Sequence, residues 1–140
     1  MPKLISIVTP CYNEEENIEE LYHRIVEVMS KLPYQYEHIC IDNSSTDDTV
    51  KKLKVIAVKD KRVKIIVNAR NFGHIRSPYY ALLQSRGDAS VLIASDLQDP
   101  PEMIVDFIKK WEEGFKTVLA VKPESEESAL MFLVRKIYYR

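Results

Sequence analysis

A mostly parallel α/β sheet of about five strands, with helices on both faces, is the fold that this sequence predicts. Three observations carry it. Short β-branched runs alternate with segments of helical period along the whole chain, polar clusters follow the strand runs, and neither repeats nor low-complexity tracts interrupt the alternation.

Taken in order, the first strand is expected over Leu4 to Thr9. Ile18, Leu21, Tyr22, Ile25, Val28, Met29 and Leu32 then recur at three- and four-residue steps, placing one apolar stripe on a helix that must end before Pro33. Glu37 to Ile41 is the second strand. It leads to a helix from about Thr46 to Lys59 that turns Val50, Leu53 and Ala57 inward, with Ser45 and Asp48 in the form of a capping box. Val63 to Val67 is the third strand, and Gly73 to Arg86 reads as a third helix. Pro78 must lie in its first turn or kink it, because a proline deeper inside removes a hydrogen bond and clashes with the preceding turn. Ala89 to Ala94 is the fourth strand. The fourth helix is expected to start with Asp99 as cap, Pro100 at the first helical position and Glu102 closing the box, to turn Ile104, Phe107, Ile108 and Trp111 inward, and to stop at Gly114. Thr117 to Val121 is the fifth strand. Beyond it, Lys122 to Ser128 is polar and acidic, and Ala129 to Val134 is an unbroken apolar run too short to cross a bilayer. Residues 1–122 are therefore expected to form one α/β domain, and 123–140 a linker and a helix apolar on more than one side, leading past Arg140 into further protein that covers it.

Composition narrows the function classes. Apolar residues at 46% and charged residues at 29% of 140 describe an ordinary globular domain rather than a disordered chain. Twenty basic against twenty-one acidic side chains give a formal charge of -1, so no general electrostatic pull toward nucleic acid or anionic membrane is implied and any polyanion must be bound locally. The apolar run Leu4 to Val8 is too brief for a signal-peptide core, which leaves a cytoplasmic location as the expectation. Cys11 and Cys40 have no metal-site spacing and read as buried thiols.

Four polar clusters begin at or just beyond the carboxyl ends of predicted strands: Thr9 to Glu14, Asp42 to Ser45, Asn68 to Gly73 and Ser95 to Asp99. Turns favour the same residue types for backbone reasons, but in open parallel sheets this edge is where ligands bind, and four clusters together point to a site. Pro10, Tyr12, Asn13 and Glu14 put an aromatic ring and an amide where a flat base can stack and be hydrogen-bonded; Tyr12 packed on the helix and Asn13 as its cap is the alternative. Asp42, followed by Asn43 and Ser44, sits ahead of the Ser45 cap and is spare to accept a hydrogen bond from the imino group of a base. Arg70 offers positive charge, and Gly73 a turn that other residues resist. Asp96 and Gln98 offer oxygen ligands suited to Mg2+ or Mn2+ together with diphosphate oxygens.

Ser6 to Glu15, Ile41 to Asp47, Arg70 to Gly73 and Asp96 to Glu102, in this order and spacing, resemble the family 2 glycosyltransferases of the A-type nucleotide-diphospho-sugar fold, in the branch of dolichyl-phosphate mannose synthases and bacterial polyprenyl-phosphate glycosyltransferases. The resemblance implies a Rossmann-like nucleotide half. Tyr12 and Asp42 would contact the base, Arg70 would lie nearby, Pro10 and Glu14 would shape the pocket, and Asp96 with Gln98 would hold a divalent metal on the diphosphate. It implies an inverting transfer from a UDP- or GDP-sugar to a polyprenyl phosphate or cell-envelope glycan, at the inner face of a membrane. Two departures stand out. Ala94 replaces the first carboxylate of the family's Asp-x-Asp signature, a loss of about 1.5–3 kcal/mol for one charged hydrogen bond, so weaker metal binding is expected. No residue supplies the catalytic base, which the family carries after the region of Val121; His74 is not assigned to that role, and His23 and His38 read as structural or exposed. A nucleotide-binding or assembly module with a degenerate metal site is the rival reading. A receiver domain lacks its acidic pair here, and a dinucleotide oxidoreductase lacks its Gly-x-Gly-x-x-Gly.

Overall fold

A computed structural model describes residues 3–121; the expected helix at Ala129 to Val134 and the whole 123–140 segment lie outside them. Four parallel strands form one sheet: β1 (Leu4–Cys11), β2 (Gln35–Asp42), β3 (Val63–Val67) and β4 (Ala89–Leu92), in the order β3-β2-β1-β4. The register sets Ile5 beside Tyr36 and Ala89, and His38 beside Val63. Parallel strands need crossovers, and α1 (Ile18–Ser30), α2 (Thr49–Lys59) and α3 (Gly73–Leu83) supply them, with α4 (Ile104–Glu112) following β4.

The period of two along β1 and β2 divides the core. Ile5, Ile7, Cys11, Tyr36 and Cys40 pack with Leu21 and Ile25 of α1, Leu53 of α2, and Ile104 and Ile108 of α4. On the other face Val8, Ile39 and Ile41 meet Ala81 of α3, with Leu82 and Ile66 packed at the edge. β1 is buried on both faces, so its side chains are covered in succession rather than alternately, including the polar Ser6 and Thr9. From β1 the chain winds outward to β2 and β3, then returns to place β4 on the other side of β1. That reversal opens a crevice at the carboxyl edge between β1 and β4.

Several local expectations are corrected. Thr117 to Val121 forms no strand among the described residues. Leu119 and Val121 are 80% and 82% exposed, and a cavity of about 710 Å3 lies between this segment and β4 where backbone pairing would be needed. Helix α2 starts at Thr49 rather than Thr46, and the Ser45–Asp48 box does not form, because Ser45 Oγ accepts instead from Asn13 N at 2.9 Å. Asp47 takes over, accepting from Thr49 N and Oγ1. Pro78 lies inside α3 rather than in its first turn, buried against the sheet, so the carbonyl of His74 has no i+4 donor. A 3₁₀ turn, Pro101–Met103, precedes α4, and Pro100 stays extended. Glu102 closes no box; it accepts from Arg24 Nε and Nη2 at 3.1 and 2.6 Å and ties this turn to α1. Gly114, at φ 99°, ends α4 as expected.

Candidate functional site at the carboxyl edge

Each strand delivers a loop to the same rim, and the loops are knitted to one another. Asn13 Oδ1 accepts from Thr46 N at 2.9 Å, Glu14 N donates to Thr49 Oγ1 at 2.8 Å, and Glu15 N donates to Asp47 Oδ2 at 3.1 Å, joining the β1 and β2 loops. Asn43 binds the β3 loop. Its Oδ1 accepts from Asn68 Nδ2 and Phe72 N at 3.1 and 2.9 Å, and its Nδ2 donates to Asn71 Oδ1 and Gly73 O at 2.8 and 3.3 Å. Every bond a side-chain amide can make is used there, so its reach toward a ligand is spent on loop geometry. Ser95 Oγ donates to Pro10 O at 2.9 Å and joins the β4 loop to the end of β1.

Strain marks the same places. Asn13, Ser44 and Leu97 have φ of 56°, 69° and 57°, the left-handed region that side chains resist, and they fall in three of the four rim loops. Such backbone persists where surrounding bonds over-determine it, and it clusters at ligand sites.

The loops enclose a cavity of about 370 Å3, within the range of small-molecule sites. Pro10, Tyr12 and Glu14 line it from the first cluster, Asn43 from the second, and Asp96 from the fourth. Tyr12, 48% exposed, lies open to this cavity, and Asn13 does not cap α1, whose cap position is Asn17. The other expected residues do not line it. Asn13 ties loops together and Ser44 forms the strained turn. Arg70 stacks its guanidinium 4.3 Å from the Phe72 ring centroid, and Gln98 stands exposed with its N–H donating to Asp96 Oδ1 at 3.1 Å. Asp42 is fully buried: its Oδ2 accepts from Ser44 N and Ser45 N, both at 3.0 Å, and its Oδ1 has no partner. Sequence reasoning missed Asn71, His74, Ser77 and Ser95 as lining residues. Asn71 was legible in the Arg70–Gly73 block, whereas Ser77 reads as ordinary helix until α3 is seen to turn it toward the crevice.

Beneath the cavity lies a buried polar group. Thr9 Oγ1 and His38 Nε2 are 2.9 Å apart, and Cys40 Sγ is 3.5 Å from the same nitrogen. Both cysteines are free and buried, and the contact with Cys40 together with burial pushes the Cys11 thiol well up, keeping it protonated and effectively apolar. His38 is thus structural, while His23 is exposed.

Asp96 and Glu14 are the carboxylates lining the cavity, and no cluster of three potential metal ligands exists among the described residues. Carboxylate oxygen at the edge of this cavity, from Asp96 with Glu14 also lining it, is the ligand type that Mg2+ or Mn2+ takes, hard ions that complete their shells with substrate phosphates and water.

The family model described as Glycosyl transferase family 2 matches residues 6–137. An uncharacterized glycosyltransferase of Bacillus subtilis is 44% identical over 84% of this chain, which spans 36% of that protein. A bactoprenol glucosyl transferase of Shigella phage SfV is 38% identical over 86% of this chain, which spans 39% of it. A mannosyltransferase of Pyrobaculum calidifontis, solved in complex with GDP-Man and Mn2+, has the same fold with a TM-score of 0.65 at 22% identity, over 79% of this chain and 32% of that one.

Proposed function

The chain belongs to glycosyl transferase family 2, and on that premise we propose that residues 1–122 form the donor-binding domain of an inverting enzyme that moves a sugar from a nucleoside diphosphate sugar to an acceptor. One observation carries the reading: loops from all four strands meet around one cavity at the crevice beside β1. A nucleotide-binding module would share that geometry, and the enzyme names of the relatives favour transfer over it.

Tyr12 stacks on the base from the open side of the cavity, and Pro10 fixes the end of β1 beneath it. Asp42 reads the base through its unpartnered Oδ1, which a base N–H reaches only when the Ser44 turn opens on binding. Asn43 and Asn13 act by holding the loops, and Arg70 supplies charge from the rim. Asp96, with Gln98 positioned by its turn, would hold Mg2+ or Mn2+ for the diphosphate. Bound there, such an ion would supply neutralisation of the charge on the departing nucleoside diphosphate. With Ala94 in place of a second carboxylate, its affinity rests on the donor's own oxygens.

The name of the Shigella phage relative supports an isoprenoid acceptor, and a polyprenyl phosphate brings an oxygen that is already anionic and needs no strong base. An acceptor of this kind sets the reaction at the cytoplasmic side of a membrane. No helix among the described residues is long and apolar enough to cross one.

Isothermal titration with UDP- and GDP-sugars, with and without Mn2+, tests the proposal. Binding of one donor class, strengthened by Mn2+, is the expected result. Silence with every donor overturns it.

A further inference from the structure

Helices α1 and α4 meet solvent with charge, exposing Glu19, Glu20 and Glu27 on one and Asp106, Lys109 and Lys110 on the other. Helix α3 does not. Ser77, Pro78 and Ala81 face the sheet, and the opposite side presents Ile75, Tyr79 and Leu83 one turn apart, 72%, 62% and 62% exposed. Tyr80 and Phe72 widen this face toward β3, where a depression of about 440 Å3 opens beside Arg76.

Charge is equally one-sided. No Asp or Glu occurs between Asp60 and Asp88, so all 21 acidic residues lie outside that stretch. Arg70, Arg76 and Arg86 are exposed within it, and none joins a salt bridge among the described residues. Arg76 stands on this helix next to Ile75 and, one turn on, Tyr80, and aliphatic and tyrosyl side chains beside a guanidinium that has no salt bridge among the described residues suit the boundary between headgroups and acyl chains: the rings sit at headgroup level, the apolar groups enter below, and the guanidinium meets phosphates.

We propose that the outer face of α3 is a contact surface for an anionic phospholipid bilayer. Charge selects lipid over a second copy of the chain, because a two-fold contact through this face sets arginine against arginine. The placement has a consequence for the site. His74, Ser77 and Pro78 of the same helix line the cavity, so a bilayer on the outer side lies about one helix diameter, roughly 10 Å, from it. The inference goes beyond donor binding and does not depend on it.

Co-sedimentation of the 140-residue chain with phosphatidylcholine vesicles, with and without phosphatidylglycerol, tests it. The chain is expected to bind the mixed vesicles and not the neutral ones, more weakly as salt is raised. Ile75→Glu combined with Leu83→Glu should weaken binding at least about tenfold, and Arg76→Gln by a smaller factor. Tyr79→Trp, like Arg76→Gln, leaves the buried side of the helix untouched; its emission should shift blue on mixed vesicles and be quenched by brominated lipid, while Trp111, packed with the core of the other face, is not quenched. Wild-type chain that stays in solution, equal binding to neutral vesicles, or variants that bind like wild type would each overturn the proposal. So would a lipid-free dimer in ultracentrifugation that Leu83→Glu splits, which makes the face a contact between copies. Donor titration on the same variants keeps the two readings apart: lipid binding without donor binding sinks the transfer reading alone.

Discussion

Strand β2 buries a carboxylate at each end, and the two are treated differently. At the amino end Glu37, 4% exposed, accepts from Ser6 Oγ at 2.6 Å and Arg86 N at 2.8 Å through one oxygen and pairs with Lys64 through the other. Burial pushes its pKa up, the Lys64, Ser6 and Arg86 donors push it down, and the net position is below the ordinary range. At the carboxyl end Asp42 uses one oxygen on the Ser44 turn and leaves the other without a partner. All three left-handed non-glycine residues among those described belong to loops at that second end. A saturated carboxylate holds structure; one with a spare acceptor under a strained turn is what a ligand can use.

Substitutions at the two ends should therefore separate stability from affinity. Glu37→Ala leaves Ser6, Lys64 and the Arg86 N–H without their acceptor, and a loss of about 3 kcal/mol is expected in urea unfolding, with donor affinity of the folded protein unchanged. Asp60, also on the amino side, has its carboxyl lowered to about 2 by hydrogen bonds from Arg62, against burial. A folded pKa below the unfolded value of 3.8 gives stability that is complete above that value and lost as pH falls toward 2. Asp60→Asn should cost about 2 kcal/mol at neutral pH and flatten stability between those two pH values, read by denaturation at each pH. At the open end Asp42→Ala should weaken nucleotide binding at least about tenfold, near 1.4 kcal/mol, in calorimetry. Unchanged affinity would remove Asp42 from the site. Asp96→Asn should have the smallest effect, abolishing only the Mn2+ enhancement of donor binding; enhancement that survives would put the metal elsewhere. An amino-end variant that alters affinity at full stability would break the contrast.

The parts legible in the sequence were those written in local pattern. The apolar stripe of α1 fixed that helix to within two residues of its end, and β1 to β4 fell where β-branched runs predicted. Tyr12, Glu14 and Asp96 were legible as rim residues because each belongs to a polar cluster at the end of a strand run, and all three line the cavity. Expectations failed where a long-range partner outbid a local one. Ser45 was drawn to Asn13 rather than to its own helix, Glu102 to Arg24, and Asn43 to the β3 loop. Pro78 survives inside α3 because its ring is buried against the sheet, a gain invisible to helix propensity. The expected strand at Thr117 to Val121 shows that β-propensity expresses itself only where a neighbour completes the ladder.

By itself, then, the sequence determined where β1 to β4 and the four helices lie and which polar residues stand at those strand ends, since periodicity and turn chemistry act over a few residues. Only the tertiary structure decided that four loops share one cavity, that Asp42 is covered while Tyr12 is open, and that α3 turns a mostly apolar side carrying Arg76 to solvent. Those outcomes depend on strand order and on contacts between residues far apart in the chain, and no local pattern encodes which distant partner binds most tightly.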